Sequence, residues 1–310
     1  MKLGIIDIGS NSIKLLVAET QSPLAVNYQT TWETRISEGL GGDNPVLSDI
    51  AMEQGVEAVK SLIKEADRYQ PITFYVVATS AVRDAENRDV FVDRIRQETG
   101  LELDILSGEQ EAAYIGWGIT TDPTVEKYKE FCLVDLGGGS MELIHIKDKE
   151  IVAKTSLPLG AVRLSEKCIP DPTLPMKANE MKRITRTVQD TIYRSDFKFP
   201  AGSNILAGTG GALTVAREIR AGWLSLTPKQ VSNSLGLTYL RYLFLELASM
   251  HQYERSRLAH LPDARADIMP TALITLITVA ELANASGFVH SRHNLRYGLA
   301  ASLIDKHIDS

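Results

Sequence analysis

Two short segments of this 310-residue chain carry the same chemistry-bearing residues in the same order. The first is Asp7-Ile8-Gly9-Ser10-Asn11-Ser12, flanked by Ile5, Ile6, Ile13 and Leu15. The second is Asp135-Leu136-Gly137-Gly138-Gly139-Ser140, flanked by Leu133, Val134, Met141 and Leu143. Asp7 and Asp135, Gly9 and Gly137, Ser12 and Ser140, and Leu15 and Leu143 each stand 128 positions apart. Glycine tolerates φ > 0 and has no Cβ, so a turn built on it can aim several backbone N–H groups at one anion. A serine hydroxyl adds a donor. A carboxylate at the end of the preceding strand can hold a divalent cation, or a water bound to one. A plain tight hairpin explains either copy alone; two copies in register favour a pair of phosphate turns in two related half-molecules.

One position breaks the repeat: Lys14 in the first copy aligns with Glu142 in the second. If both side chains face the ligand, one half offers a cation to phosphate and the other a carboxylate to metal or water. A third glycine segment, Gly208-Thr209-Gly210-Gly211, follows an apolar run at 204–207 and precedes a helical pattern from Ala212. A glycine run between strand and helix presents free N–H groups to an anion. Such runs are common, and this one gains meaning beside the other two.

These turns need strands on both sides and helices behind them. After the first hairpin, further antiparallel strands are expected over 25–38, then a glycine-rich loop over 39–43. Ser48 reads as an N-cap for a helix carrying Ile50, Val56, Val59, Leu62, Ile63 and Ala66 to about Tyr69, where Pro71 ends it. A buried strand follows over 72–78, then a polar loop over 79–87 carrying Arg83. Asn87 is expected to cap a helix over 90–99, closed by Gly100. A strand over 101–106 leads to Ser107-Gly108-Glu109-Gln110-Glu111, which opens another helix, and a polar stretch over 120–130 separates the halves. The second half continues with strands over 144–155 and a turn over 157–163; residues 154–198 are locally basic, which a solvated helix face explains. From Tyr239 the chain reads as helical, with an irregular stretch over 251–270, a buried core helix over 268–280 and a final helix over 295–307. Strand–helix alternation after an antiparallel start is an α/β layout.

Length and composition suit two globular domains: 44% hydrophobic and 23% charged residues. A formal charge of −6 excludes a generally basic nucleic-acid binder, so a positive field for a polyanion must be local. Cys132 and Cys168 have neither metal-knuckle nor redox spacing, and inert thiols in a reducing compartment are expected. Asp7 interrupts the N-terminal apolar run too early for a signal peptide, and the 268–280 run is too short to span a bilayer. A cytoplasmic protein with no membrane or nucleic-acid partner is the expectation.

Six segments together resemble the exopolyphosphatase/guanosine pentaphosphate phosphatase family, a branch of the sugar kinase–Hsp70–actin superfamily. They are the two hairpin motifs, Ala78-Thr79-Ser80-Ala81-Val82-Arg83-Asp84-Ala85-Glu86-Asn87, Ser107-Gly108-Glu109-Gln110-Glu111-Ala112, Gly208-Thr209-Gly210-Gly211 and Arg265-Ala266-Asp267-Ile268-Met269-Pro270. The triple-glycine hairpin indicates only the superfamily; the Asp-x-Gly-Ser-Asn-Ser start, the Thr-Ser-Ala-x-Arg loop and the Ser-Gly-x-x-Glu-Ala segment narrow it to the family.

The resemblance implies an α/β fold of two actin-like, ribonuclease H-like domains flanking a cleft. Residues 1–120 would form the first, with a helix at about 296–310 packing back on it, and 121–295 the second. It implies Mg²⁺ or another divalent cation such as Mn²⁺, and a catalytic set of Glu111, Asp135 and Glu142. Glu111 matches the base for the attacking water; Asp135 and Glu142, with Asp7, match metal or water positions. Phosphate contacts fall to Arg83, Ser10, Asn11, Ser12, Lys14, residues Gly137, Gly138, Gly139 and Ser140, the glycine segment Gly208, Thr209, Gly210 and Gly211, and Arg265. The implied reaction is hydrolysis of the terminal phosphoanhydride of inorganic polyphosphate. Its rivals are a guanosine pentaphosphate phosphatase, an ATP-dependent kinase of the same fold, and a catalytically silent sensor; a homodimer is the commonest assembly for such enzymes. Three departures matter. Gln110 replaces a second glutamate, Met269-Pro270-Thr271-Ala272 lacks a glycine after the proline, and the C-terminal helical domains of longer relatives are missing, which argues against processive digestion of long chains.

Overall fold

The computed structural model describes residues 2–21, 23–40, 45–200 and 206–308. The predicted loop residues 41–43 and strand residues 204–205 lie outside them. Residues 1–121 with 293–310 form one compact unit, and residues 122–292 another.

The first unit starts with β1 (Lys2–Ile8), β2 (Ser12–Glu19) and β3 (Ala25–Glu33), an antiparallel meander. Then come α1 (Asp49–Ala66), β4 (Ile72–Ala78), the short α2 (Ser80–Asp84), α3 (Arg88–Thr99), β5 (Leu103–Ile105) and α4 (Gly108–Thr120). The sheet order is β3-β2-β1-β4-β5, with β4 and β5 parallel to β1. β1 is buried on both faces, as Leu3, Ile5, Ile6 and Ile8, which fall on both sides of the strand, dictate. Ile6, Ile8, Ile13, Leu15 and Val17 pack with Val56, Val59 and Leu62 of α1 and Phe91 and Ile95 of α3.

The second unit contains β6 (Glu130–Leu136), β7 (Met141–Lys147), β8 (Glu150–Leu157), α5 (Ala161–Cys168), α6 (Ala178–Arg194), β9 (Leu206–Thr209), α7 (Gly211–Trp223), β10 (Ser234–Gly236), α8 (Leu237–Ser249), α9 (Gln252–Arg255), α10 (Met269–Leu282) and β11 (Gly287–His290). Its sheet order, β8-β7-β6-β9-β11-β10, repeats that of the first sheet with one antiparallel strand added at the edge. The chain then returns to the first unit as α11 (Leu295–Ile308), packed on α4 and β1. The two units thus share one strand order, as the in-register repeat of the hairpins leads one to expect. α10 is buried along nearly its whole length, as its continuous apolar run requires; Thr275 and Thr278 satisfy their hydroxyls on the carbonyls of Thr271 and Ile274.

Several local expectations are corrected. Arg83 lies on α2, not in a loop. Ser48 caps α1, its hydroxyl accepting from the Ala51 N–H, but Ile50 faces solvent at 68% exposure. α3 starts at Arg88 rather than 90, without a side-chain cap: Asn87 spends its amide on both backbone groups of Leu47 instead. The segment expected as a turn over 157–163 already begins α5 at Ala161. The all-helical reading beyond Tyr239 missed β11, a strand of four residues. No helix among the described residues is long and apolar enough to cross a membrane.

Candidate functional site

The two hairpins are the same object at atomic register. Asp7 pairs with Lys14 across β1 and β2, and Asp135 with Glu142 across β6 and β7. In both, the turn closes with one bond: Gly9 N–H to Ser12 O at 3.1 Å, and Gly137 N–H to Ser140 O at 3.0 Å. Directly opposed residues share a sheet face. Lys14 therefore lies beside Asp7, and Glu142 beside Asp135.

In the first unit Ser10, Asn11 and Ser12 are buried. Their turn is tied to the stretch after β3: Thr34 and Arg35 N–H donate to Asn11 O, and Ser37 N–H to Ser10 O. Asn11 also donates its amide to Glu33 at 2.6 Å. Arg296 of α11, which the sequence did not single out, is buried and donates to Leu15 O at 2.9 Å. Burial depresses the pKa of its guanidinium, while the charge of Asp7 supports its cationic form. Asp7 thus faces a protein cation.

Arg83 and Glu111 come together in this unit. An Arg83 terminal nitrogen donates to Glu111 at 2.8 Å and to Leu106 O at 2.9 Å, and Glu111 is only 6% exposed. α4 holds Glu111 by a capping box: Ser107 Oγ accepts from Gln110 N–H, and Gln110 Oε1 accepts from Ser107 N–H. Gln110, the departure from the family pattern, is therefore the residue that fixes the start of the helix. Glu111 follows in its first turn, with its carboxylate near the helix N-terminus.

In the second unit four residues line one row across the sheet: Thr209 on β9, Asp135 on β6, Glu142 on β7 and Ser156 on β8. Glu142 is fully buried and accepts from Ser156 Oγ at 2.7 Å. Thr209 is buried with no protein partner for its hydroxyl. Among the described residues no three His, Cys, Asp or Glu side chains group as a metal site. The Asp135–Glu142 pair nevertheless suits Mg²⁺, which takes one or two carboxylates and fills its remaining positions with water and phosphate oxygen.

The glycine segment turns sharply into α7. Gly210 has φ +98°, and a Cβ there would sit 2.6 Å from Leu136 O and 2.9 Å from Asp135 Oδ1. A Cβ on Gly211 would collide with the Arg265 guanidinium, which therefore lies over the start of α7. The predicted Arg265 contact and the glycine segment thus occupy one place. Thr214 Oγ1 donates to Gly210 O at 3.1 Å and meets His290 Nε2 at 3.2 Å.

His290 is buried, its Nδ1 without a protein partner, and burial first, then Arg217 and Arg292, pushes its pKa down to about 4. The unfolded chain protonates this histidine below about pH 6.5 while the folded chain does not. Stability is therefore undiminished by it above pH 6.5 and falls as pH drops toward 4, by about 3 kcal/mol at most. Urea unfolding of wild type and His290→Gln is expected to diverge over this window and not at pH 7.5; parallel pH profiles would refute it. Cys132 is buried too, its thiol pushed up to about 12, which makes it inert as expected.

The chain matches the Ppx/GppA phosphatase family over residues 16–307. It is 28% identical to exopolyphosphatase 2 of Mycobacterium tuberculosis over 97% of this chain and 98% of that protein. It is 25% identical to the guanosine-5'-triphosphate,3'-diphosphate pyrophosphatase of Vibrio atlanticus over 97% of this chain but 59% of that protein. Its fold matches the crystal structure of an exopolyphosphatase from Cytophaga hutchinsonii with a TM-score of 0.88, at 21% identity over 99% of this chain and 98% of that one. With both hairpins, the Arg83–Glu111 segments and the family match over nearly the whole length, the chain belongs to the Ppx/GppA phosphatase family.

Proposed function

We propose that this protein is a divalent-cation-dependent exopolyphosphatase that hydrolyses the terminal phosphoanhydride of inorganic polyphosphate and releases orthophosphate. The observation that carries the reading is the Arg83–Glu111 pair, a phosphate cation and a carboxylate base 2.8 Å apart. Phosphoryl transfer needs charge neutralisation and an oriented nucleophile more than covalent help. A phosphate oxygen that takes over Arg83 releases a Glu111 oxygen to accept a proton from water. Each unit offers its own donors to phosphate oxygen: the turn amides at 10–12 with Lys14 in the first, and those at 137–140 with Arg265 and the start of α7 in the second. Asp135 and Glu142 would hold the divalent cation, which when bound neutralises phosphate charge. Asp7, beside Arg296, is assigned here to charge balance at the first turn.

Polyphosphate is preferred because exopolyphosphatase 2 is matched over 98% of its length. The Vibrio relative supports guanosine pentaphosphate as the second substrate, with the same chemistry on a nucleotide. A panel of short polyphosphate, long polyphosphate, guanosine pentaphosphate and ATP, each with Mg²⁺ or Mn²⁺, separates them. Orthophosphate release fastest from short polyphosphate is expected; no release from any of the first three would sink the reading.

A further inference from the structure

The 128-residue repeat extends past the hairpins. Arg35-Ile36-Ser37-Glu38 and Arg163-Leu164-Ser165-Glu166 stand at the same offset. In the first unit the N–H groups of Thr34 and Arg35 share Asn11 O, and Arg35 Nε donates to Asn11 Oδ1 at 3.3 Å. In the second, the N–H groups of Val162 and Arg163 share Gly138 O, and Arg163 Nε donates to Gly139 O at 2.8 Å. The backbone acceptor has moved by one residue along the turn, while the guanidinium meets the equivalent position in both, the side-chain oxygen of Asn11 in the first unit and the backbone carbonyl of Gly139 in the second. The backbones differ: Arg163 is in the first turn of α5, whereas Arg35 has φ +43°, an uncommon conformation for a side-chain-bearing residue. Two local structures deliver one arginine to one place, and non-glycine strain of this kind persists where the surroundings demand it.

We propose that Arg35 and Arg163 are equivalent positioning residues, Arg163 clamping the Gly139 carbonyl of its hairpin turn and Arg35 the side chain of Asn11 at the equivalent position of the other, so that the turns' N–H groups stay aimed at phosphate. The reason is the planar trans peptide, in which the C=O of one residue and the N–H of the next point in opposite directions. Ala161 N–H takes Gly137 O, Val162 and Arg163 N–H take Gly138 O, and Arg163 Nε takes Gly139 O. Three carbonyls held toward α5 direct the N–H groups of Gly138, Gly139 and Ser140 the other way. Arg163 supplies the last of these anchors, the one that sets Ser140. In the first unit the same logic aims the N–H groups of Asn11 and Ser12, through Ser37 on Ser10 O and Thr34 and Arg35 on Asn11 O. The consequence for phosphate rests on the function proposed above; the clamp itself does not.

The test is amide hydrogen exchange on the full chain carrying Arg163→Gln, Arg163→Lys or Arg35→Gln. Losing the side-chain anchor is expected to speed exchange at 137 and 161–163 about tenfold in Arg163→Gln, the usual worth of a charged hydrogen bond. Arg163→Lys should fall between, because an ammonium cannot reproduce the guanidinium fork. Arg35→Gln should do the same at 9 and 34–37 and leave 137 and 161–163 unchanged. If Arg163→Gln does not fold, the other two variants carry the same readout. Folded variants exchanging at wild-type rates would overturn the clamp. Tripolyphosphate affinity, measured in EDTA, is expected to weaken about tenfold in step with exchange, and KM to rise with little loss of kcat. Faster exchange in the variants of a wild-type protein that binds no tripolyphosphate would uphold the clamp and sink the phosphate function instead.

Discussion

Glu111→Gln is expected to lower orthophosphate release by roughly 10² to 10⁴-fold while leaving polyphosphate binding within a few-fold of wild type. The amide preserves shape and can still face Arg83, but it cannot accept a proton from water. Arg83, paired with Glu111 at 2.8 Å, gives the control. Arg83→Lys keeps a cation near the base and should raise KM first, whereas Glu111→Gln should act on kcat. Steady-state kinetics with short polyphosphate, alongside binding by calorimetry, read the two apart. Full turnover in Glu111→Gln would mean that another carboxylate is the base.

Gly298→Ala is expected to cost stability by about 2 kcal/mol or more, although alanine is the better helix former. The intrinsic gain in a helix is only about 1 kcal/mol. Against it, a Cβ at Gly298 would collide with Tyr114 O and lie 2.7 Å from Gly118 N; one at Gly118 would collide with Asn294 O. These are backbone atoms of α4 and of the residue just before α11, so nothing flexible can swing aside, and overpacking of this kind costs about 1–3 kcal/mol or more. α4 carries Glu111 in its first turn, and α11 carries Arg296 beneath β2, so the crossing holds two parts of the site at once. Thermal unfolding should shift down by roughly 5 °C or more, with loss of activity near the new midpoint. An unchanged midpoint would show that α11 can slide along α4.

Much of this architecture was legible in the residues. The apolar runs bounding Asp7 and Asp135 define strands buried on both faces, and the 128-residue offset survives as a common ladder register because side-chain alternation penalises any slip. Ser48 and Ser107 capped the helices they were expected to open, since capping is local chemistry. Asn87 failed as a cap for the complementary reason: the backbone of Leu47, 40 residues away, competed for the same amide.

The sequence by itself determined the two glycine hairpins, their common register and the family, because those features depend on residue type and short spacing. Only the tertiary structure decided which charges meet: Arg83 with Glu111, Arg296 near Asp7, Ser156 on Glu142, and Arg35 and Arg163 behind the turns. Arg83 and Glu111 are 28 residues apart and Arg296 bonds 281 residues back to Leu15, separations at which periodicity carries no information. A buried charge must find its partner in space, and the fold chooses that partner by closing the sheet and helices around it.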